Sequence, residues 1–121
     1  MGERKGRLLR SISSWANPSE EHARDLAATV ERTGCTQVAR AKDRERVQLQ
    51  GTLRTVTLRP RGGVPALEAE LFDGTDVITL VWLGRRRIAG IAPGRTLRVE
   101  GRVGKQDDVR LMFNPRYELK S

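Results

Sequence analysis

Apolar and polar residues alternate through most of the second half of the chain. The alternation falls into five runs: Glu45–Pro60, Ala66–Asp73, Asp76–Leu83, Arg95–Val103 and Val109–Leu119. A period of two puts every second side chain on one face, so each run predicts a half-buried β-strand. In the first run Val47, Leu49, Gly51 and Leu53 share one parity, and Val56 and Leu58 share the other. A bulge near Arg54-Thr55 repairs that slip and bends the strand, allowing it to pair on two sides. Asp73-Gly74-Thr75-Asp76 is a hairpin signal. With the turn centred on Gly74-Thr75, Leu71 faces Ile78, Ala69 faces Leu80 and Leu67 faces Trp82, all pointing inward. Glu68, Glu70, Phe72, Thr79 and Val81 then point outward. The fourth run sends Leu97, Val99, Gly101 and Val103 inward, and Arg98, Glu100 and Arg102 outward. Gly104–Asp108 reads as a tight polar turn. Only Gly84–Gly94 lacks strand character, and it reads as a connector with a short helix.

The first third has helical spacing instead. Leu8, Ile12 and Trp15 recur at intervals of four and three. A second helix is better signalled: Asn17 suits the cap, Pro18 the first turn, and Glu20 completes a capping-box-like pair with Asn17. Ala23, Leu26, Ala27 and Val30 follow on one face, and Gly34 supplies the stop. That face is mostly alanine, so the helix must pack on the strands or on a partner. Gln37–Glu45 is a charged connector. The expected organisation is a helical extension and connector over residues 1–45 and a β domain over 46–121.

Three strands, a short connector and two strands is the order of the five-stranded Greek-key barrel called the OB-fold. The expected class is therefore mainly β: a five-stranded OB-fold barrel with an N-terminal helical extension. Such barrels commonly bind oligonucleotides through strands 2 and 3 and the neighbouring loops. Fold alone does not settle function, so the residues must.

Charge narrows the partners. The net charge of +8 favours a polyanion, and 19 of the 23 basic residues are Arg. Arginine forks onto phosphate and stacks on bases, which suits nucleic acid, although a GC-rich coding bias would give the same count. Cys35 stands alone, which leaves no internal disulfide or Cys-based zinc site, and reads as a small half-buried residue. No segment resembles a membrane span, and the N-terminus carries charge without an apolar stretch behind it; a cytoplasmic protein without a membrane partner is expected.

The candidate contacts to nucleic acid are Arg54 in the first strand, Arg59 and Arg61 in the loop after it, Arg85, Arg86 and Arg87 after the third strand, and Lys105 in the last loop. Gly62 and Gly63 let backbone approach a ligand there. Arg98, Arg102, Arg110 and Arg116 add positive charge to the strands. For any single Arg a solvated surface role is the plainer reading; the Arg85–Arg87 run, set against the dipole of a short helix, asks for a reason. Aromatics are few, five in all. Phe72, facing out at the end of the second strand, is the better stacking platform, while Trp82 reads as core. Glu68 and Glu70 on the Phe72 face repel phosphate. Catalysis finds little support: His22 lacks companion ligands, turn chemistry accounts for Asp73, Asp76, Asp107 and Asp108, and no phosphate-cradling Gly-Lys-Ser/Thr motif is present. No enzyme activity, metal or cofactor is expected.

Pro93-Gly94-Arg95, Val99-Glu100-Gly101-Arg102-Val103 and the closing Phe113-Asn114-Pro115-Arg116-Tyr117-Glu118-Leu119 resemble the OB-fold wedge domain of RecG-type branched-DNA helicases, whose last strand has a similar small-Pro-x-Tyr-Glu ending. Gly51-Thr52-Leu53, Leu58-Arg59-Pro60-Arg61-Gly62-Gly63-Val64-Pro65 and Val81-Trp82-Leu83-Gly84-Arg85-Arg86 resemble small stand-alone actinobacterial OB-fold nucleic-acid-binding proteins. The resemblance spans about Asp43 to Lys120. It implies contact with nucleic acid, but not fork remodelling, because this chain has no helicase motor. Pro115 and Tyr117 read as structural, fixing the last strand. The expected function is non-enzymatic nucleic-acid binding, DNA ahead of RNA, single-stranded or branched, with little sequence specificity. The alternative is a protein-interaction barrel that docks through its N-terminal helices on a larger assembly.

Overall fold

The inward parity of each strand converges on one core. In a computed structural model describing residues 18–120, helix α1 (Pro18–Thr33) and a 3₁₀ turn (Val38–Arg40) precede seven strands. These are β1 (Arg46–Leu58), β2 (Ala66–Phe72), β3 (Val77–Leu83), β4 (Thr96–Arg102), β5 (Gly104–Gln106), β6 (Val109–Phe113) and β7 (Arg116–Lys120). The Leu8/Ile12/Trp15 stripe and the Asn17 cap lie outside the described residues.

The strands form one sheet in the order β5-β6-β3-β2-β1-β4-β7. All pairings are antiparallel except β3 with β6. β1 serves two neighbours: residues 46–52 pair with β4 and 52–58 with β2. Its register slips between Leu53 and Thr55, the bulge that the parity change predicted. The β2–β3 register pairs Leu71 with Ile78, Ala69 with Leu80 and Leu67 with Trp82, also as predicted. The main core holds these residues together with Leu49, Leu53, Leu97, Val99 and Met112. Val56 packs against it in part, whereas Leu58 stays exposed.

Three expectations need correction. The strand count is seven, not five, because the expected fifth strand is two and Gly104–Gln106 adds another. β6 hydrogen-bonds to β3 and β7 to β4, which lie near opposite ends of the ladder. One straight strand cannot serve both, and the corner falls at Asn114-Pro115: Asn114 sits at φ +50°, and Pro115 brings no N–H to a ladder. The sheet is thus OB-like in course but not closed by a continuous ladder; the corner joins β6, next to one edge, covalently to β7, the other edge.

Gly104–Asp108 is not merely a turn. Gly104–Gln106 is strand β5, and Asp107 and Asp108, both at positive φ, form the two-residue tip between β5 and β6. Gly84–Gly94 contains no helix; its turns instead insert Ile88 and Ile91 into the main core. Val81 does face outward, but it is fully buried, because β6 docked beside β3 brings Leu111 over it and Ala66.

α1 lies against the β2–β3 hairpin. Gly74 has φ +93°, and a Cβ built there would collide with the Ala23 carbonyl oxygen and come within 2.6 Å of the Ala27 nitrogen. The alanine-rich face is therefore shallow for a reason: the turn backbone packs directly on it. Gly34, at φ +77°, ends the helix where the sequence placed its stop. Cys35 is half-buried, in keeping with the expectation.

Candidate nucleic-acid interface

The outward parity of β1, β2 and β3 builds a face of three side-chain rows. Register places Thr52, Phe72 and Val77 in the first row, Thr55, Glu70 and Thr79 in the second, and Thr57, Glu68 and Val81 in the third. β6 extends the second row with Leu111 and the third with Phe113. A groove of about 310 Å³ crosses this face, bordered by Arg59 and Arg61 on one side and by Gln106, Asp107 and Val109 of the β5–β6 hairpin on another. That volume is at the small end of the range for ligand clefts, about 300–1,000 Å³.

Local sequence explains how the basic border is held. Arg61 and Val64 exchange backbone hydrogen bonds of 2.8 and 2.9 Å, closing a two-residue turn on Gly62 and Gly63. Both glycines have positive φ, so the loop is a fixed turn rather than a free tether. The Arg61 Nε donates to Glu68 Oε2 at 2.8 Å, and the guanidinium lies 5.5 Å from the Phe113 ring centroid. Half of the repulsion expected of the Glu68/Glu70 pair is thereby answered within the groove. Glu70 makes no such ion pair among the described residues.

The eight sequence-predicted contacts divide into four places. Arg59 and Arg61 line the groove. Arg54, at the bulge, lies over the Phe72 ring at 5.3 Å. This pair borders a second hollow shared with Glu20, His22 and Ala23 of α1, so Phe72 belongs to the same face as Glu70 but to its helix-covered end. Arg85, Arg86 and Arg87 are exposed just beyond β3, where the Gly84 N–H donates to the Pro65 carbonyl at 2.7 Å and so ties this turn to the start of β2, beside the Arg59–Pro65 loop. With no helix there, no dipole opposes their charge. Lys105 faces a separate hollow with Arg44, Arg102 and Phe113.

Other strand arginines are engaged in the fold. Arg98 donates to Gln50 Oε1 through Nε and Nη2. Arg102 donates to the Arg44 carbonyl. Arg110 holds Asp76 at 2.8 Å and donates to the carbonyls of Ala39 and Ala41, pinning the 3₁₀ turn to β6. Sequence reasoning gave no role to Phe113, which is 44% exposed under Arg61, or to the threonines of the groove floor. The signal for the threonines was the same outward parity that exposed Glu68 and Glu70. Phe113 gave none, since the break in the last strand decides its side. Among the described residues no three His, Cys, Asp or Glu side chains converge as a metal site, and no helix is long and apolar enough to cross a membrane.

The sequence matches no family model and no curated protein. Solved structures do share the architecture. One is RecG bound to a three-way DNA junction, with a TM-score of 0.61 and 20% identity over 71% of this chain. This chain spans only 12% of the RecG chain's length. Another is a chain of a replication protein A heterotrimer bound to ssDNA, with a TM-score of 0.51, 12% identity and 74% of each chain covered. At these identities the likeness is one of fold, and the fold is the OB type.

Proposed function

We propose that this chain is a non-enzymatic nucleic-acid-binding module, with DNA favoured over RNA and single-stranded or branched forms over plain duplex. The observation that carries the reading is the groove across β1–β2–β3, with Arg59 and Arg61 on its border; Arg85–Arg87 follow Gly84, whose N–H is tied to Pro65 at the end of the Arg59–Pro65 loop. Phosphates held along that border leave bases to settle on the Thr/Glu floor. Phosphate contacts give affinity with little sequence preference and a steep dependence on salt. Support comes also from the two similar structures, one bound to a DNA junction and the other to ssDNA. Fluorescence anisotropy against single-stranded, duplex and forked oligonucleotides over a salt series tests the reading. Salt-sensitive binding strongest for single-stranded or forked DNA is expected; no binding at low salt to any of the three rejects it.

A second reading rests on the hollow beside α1. It is about 550 Å³ and is lined by Ala23, Leu53, Phe72 and Gly94 among others, a surface suited to an apolar side chain of a protein partner. Partners recovered from extracts that persist after nuclease treatment would support that reading; their loss on nuclease treatment supports the first.

A further inference from the structure

Resting on that nucleic-acid reading, we infer that Glu70 selects guanine among the bases that reach the groove floor. Three observations converge on it. Glu70 is half-buried at the centre of the second row, between Thr55 on β1 and Thr79 on β3. Its neighbour Glu68 is neutralised by Arg61 at 2.8 Å, whereas no donor holds the Glu70 carboxylate among the described residues. With Arg61 matched to Glu68, the remaining positive charge stands at the margins of the face, Arg59 at one end and Arg54 at the other.

This arrangement sorts the parts of a nucleotide. Phosphate is attracted to the margins and repelled from the centre. The floor must therefore take the base, and a carboxylate there accepts hydrogen bonds without donating any. Guanine alone carries two adjacent donors on its unpaired edge, N1–H and the N2 amine, a match for the two carboxylate oxygens. Its O6 lies next to them and accepts from a hydroxyl, the group that Thr55 and Thr79 provide on either side. Cytosine and adenine each offer one amine beside an unprotonated ring nitrogen, whose lone pair opposes the second oxygen. Thymine offers a single N–H between two carbonyls that repel the carboxylate. The preference concerns one base and is superimposed on sequence-independent phosphate affinity.

The test uses the full chain and short oligothymidines carrying one central guanine, hypoxanthine, adenine or cytosine, with anisotropy as the readout. A forked contact to a base edge predicts that guanine binds about tenfold tighter than thymine, and hypoxanthine, which lacks the N2 amine, falls between them. Glu70→Gln should erase the guanine advantage while thymidine oligomers bind at least as well as before, since a negative charge has left the groove. Retained thymidine binding also shows that the variant is folded. Equal affinity for guanine and thymine in the unaltered protein overturns the inference, as does a guanine advantage that survives Glu70→Gln. Single strands that all fail while forked DNA binds overturn the inference alone; failure of the single strands together with the duplex and forked oligonucleotides rejects the nucleic-acid reading itself.

Discussion

Trp82 donates its indole N–H to the carbonyl oxygen of Pro115 at 3.1 Å. The contact joins the end of β3 to the corner between β6 and β7. The indole is 5% exposed and meets the Tyr117 ring edge-on, with centroids 5.8 Å apart. Two further bonds secure the corner: Asn114 N–H to the Val81 carbonyl at 2.6 Å, and Leu83 N–H to Asn114 Oδ1 at 2.9 Å. Asn114, Pro115 and Tyr117 of the small-Pro-x-Tyr-Glu ending thus gather around the end of β3 and its tryptophan.

Trp82→Ala should therefore destabilise the protein by about 3–5 kcal/mol, the usual range for emptying a large core site. Trp82→Phe, which keeps a ring but removes the donor, should cost about 1–3 kcal/mol by stranding the Pro115 carbonyl. Thermal and urea melts measure both. With Trp15→Phe as background, added oligonucleotide should leave Trp82 fluorescence nearly unchanged; strong quenching would place the indole at the interface instead.

Gly74 meets two requirements at once, a left-handed turn and direct contact with α1. Gly74→Ala should cost more than the roughly 1 kcal/mol of an ordinary positive-φ substitution, because the methyl also displaces Ala23 and Ala27. Loss of helical circular dichroism ahead of the main unfolding transition would show α1 lifting first. A fully coincident transition with an unchanged midpoint would mean that the helix contact contributes nothing.

How much of this was legible beforehand depended on whether the cause was local. Leu53, Leu71 and Ile78 announced their side by parity, and Arg54-Thr55 announced the bulge by a break in parity. Val81 did not, since its burial depends on Leu111, a residue 30 positions away delivered by the parallel β3–β6 pairing. The split of the last strand was hidden similarly: Asn114-Pro115 marks a corner only once β3 and β4 stand apart. For the candidate site, parity exposed Glu68, Glu70 and Phe72, but not that Arg61 would pair with Glu68 or that α1 would approach Phe72. Arg110 illustrates the limit most plainly. In sequence it is one more positive charge; in the fold it ties Asp76 to the 3₁₀ turn.

That distinction gives a prediction about arginines. Arg59→Ala and substitutions in Arg85–Arg87 should leave melting temperatures within about 0.5 kcal/mol equivalents of the parent, as exposed side chains do. Each phosphate contact removed should reduce the slope of log affinity against log salt by about 0.7 for a single strand. Arg110→Ala should behave oppositely, lowering stability through the lost tie to Asp76, Ala39 and Ala41 while leaving the slope intact. A slope unaffected by all of the groove-side substitutions would move the phosphate path elsewhere.

Asp73 supplies the last prediction, because a sequence reading takes it for a turn residue and the fold makes it an anchor. Its side chain is fully buried. Oδ1 accepts from the Thr75 N–H at 2.9 Å, the Thr75 hydroxyl at 2.6 Å and the Asp76 N–H at 3.2 Å, while Oδ2 accepts from the Val38 N–H at 2.8 Å. One carboxylate thus shapes the β2–β3 turn and fastens the 3₁₀ turn 35 positions earlier. Asp73→Ala strands the buried Val38 N–H and removes the acceptor of the part-buried turn donors, and should cost about 3 kcal/mol. Asp73→Asn keeps one acceptor oxygen and puts an amine where the other stood, so it should cost less than alanine if its oxygen serves the turn, with the Val38 N–H left facing a donor. Amide hydrogen exchange separates the two halves: in Asp73→Asn, Val38 should exchange much faster while Thr75 and Asp76 stay protected. Equal acceleration at all three amides would show instead that the turn and the 3₁₀ anchor open as one unit.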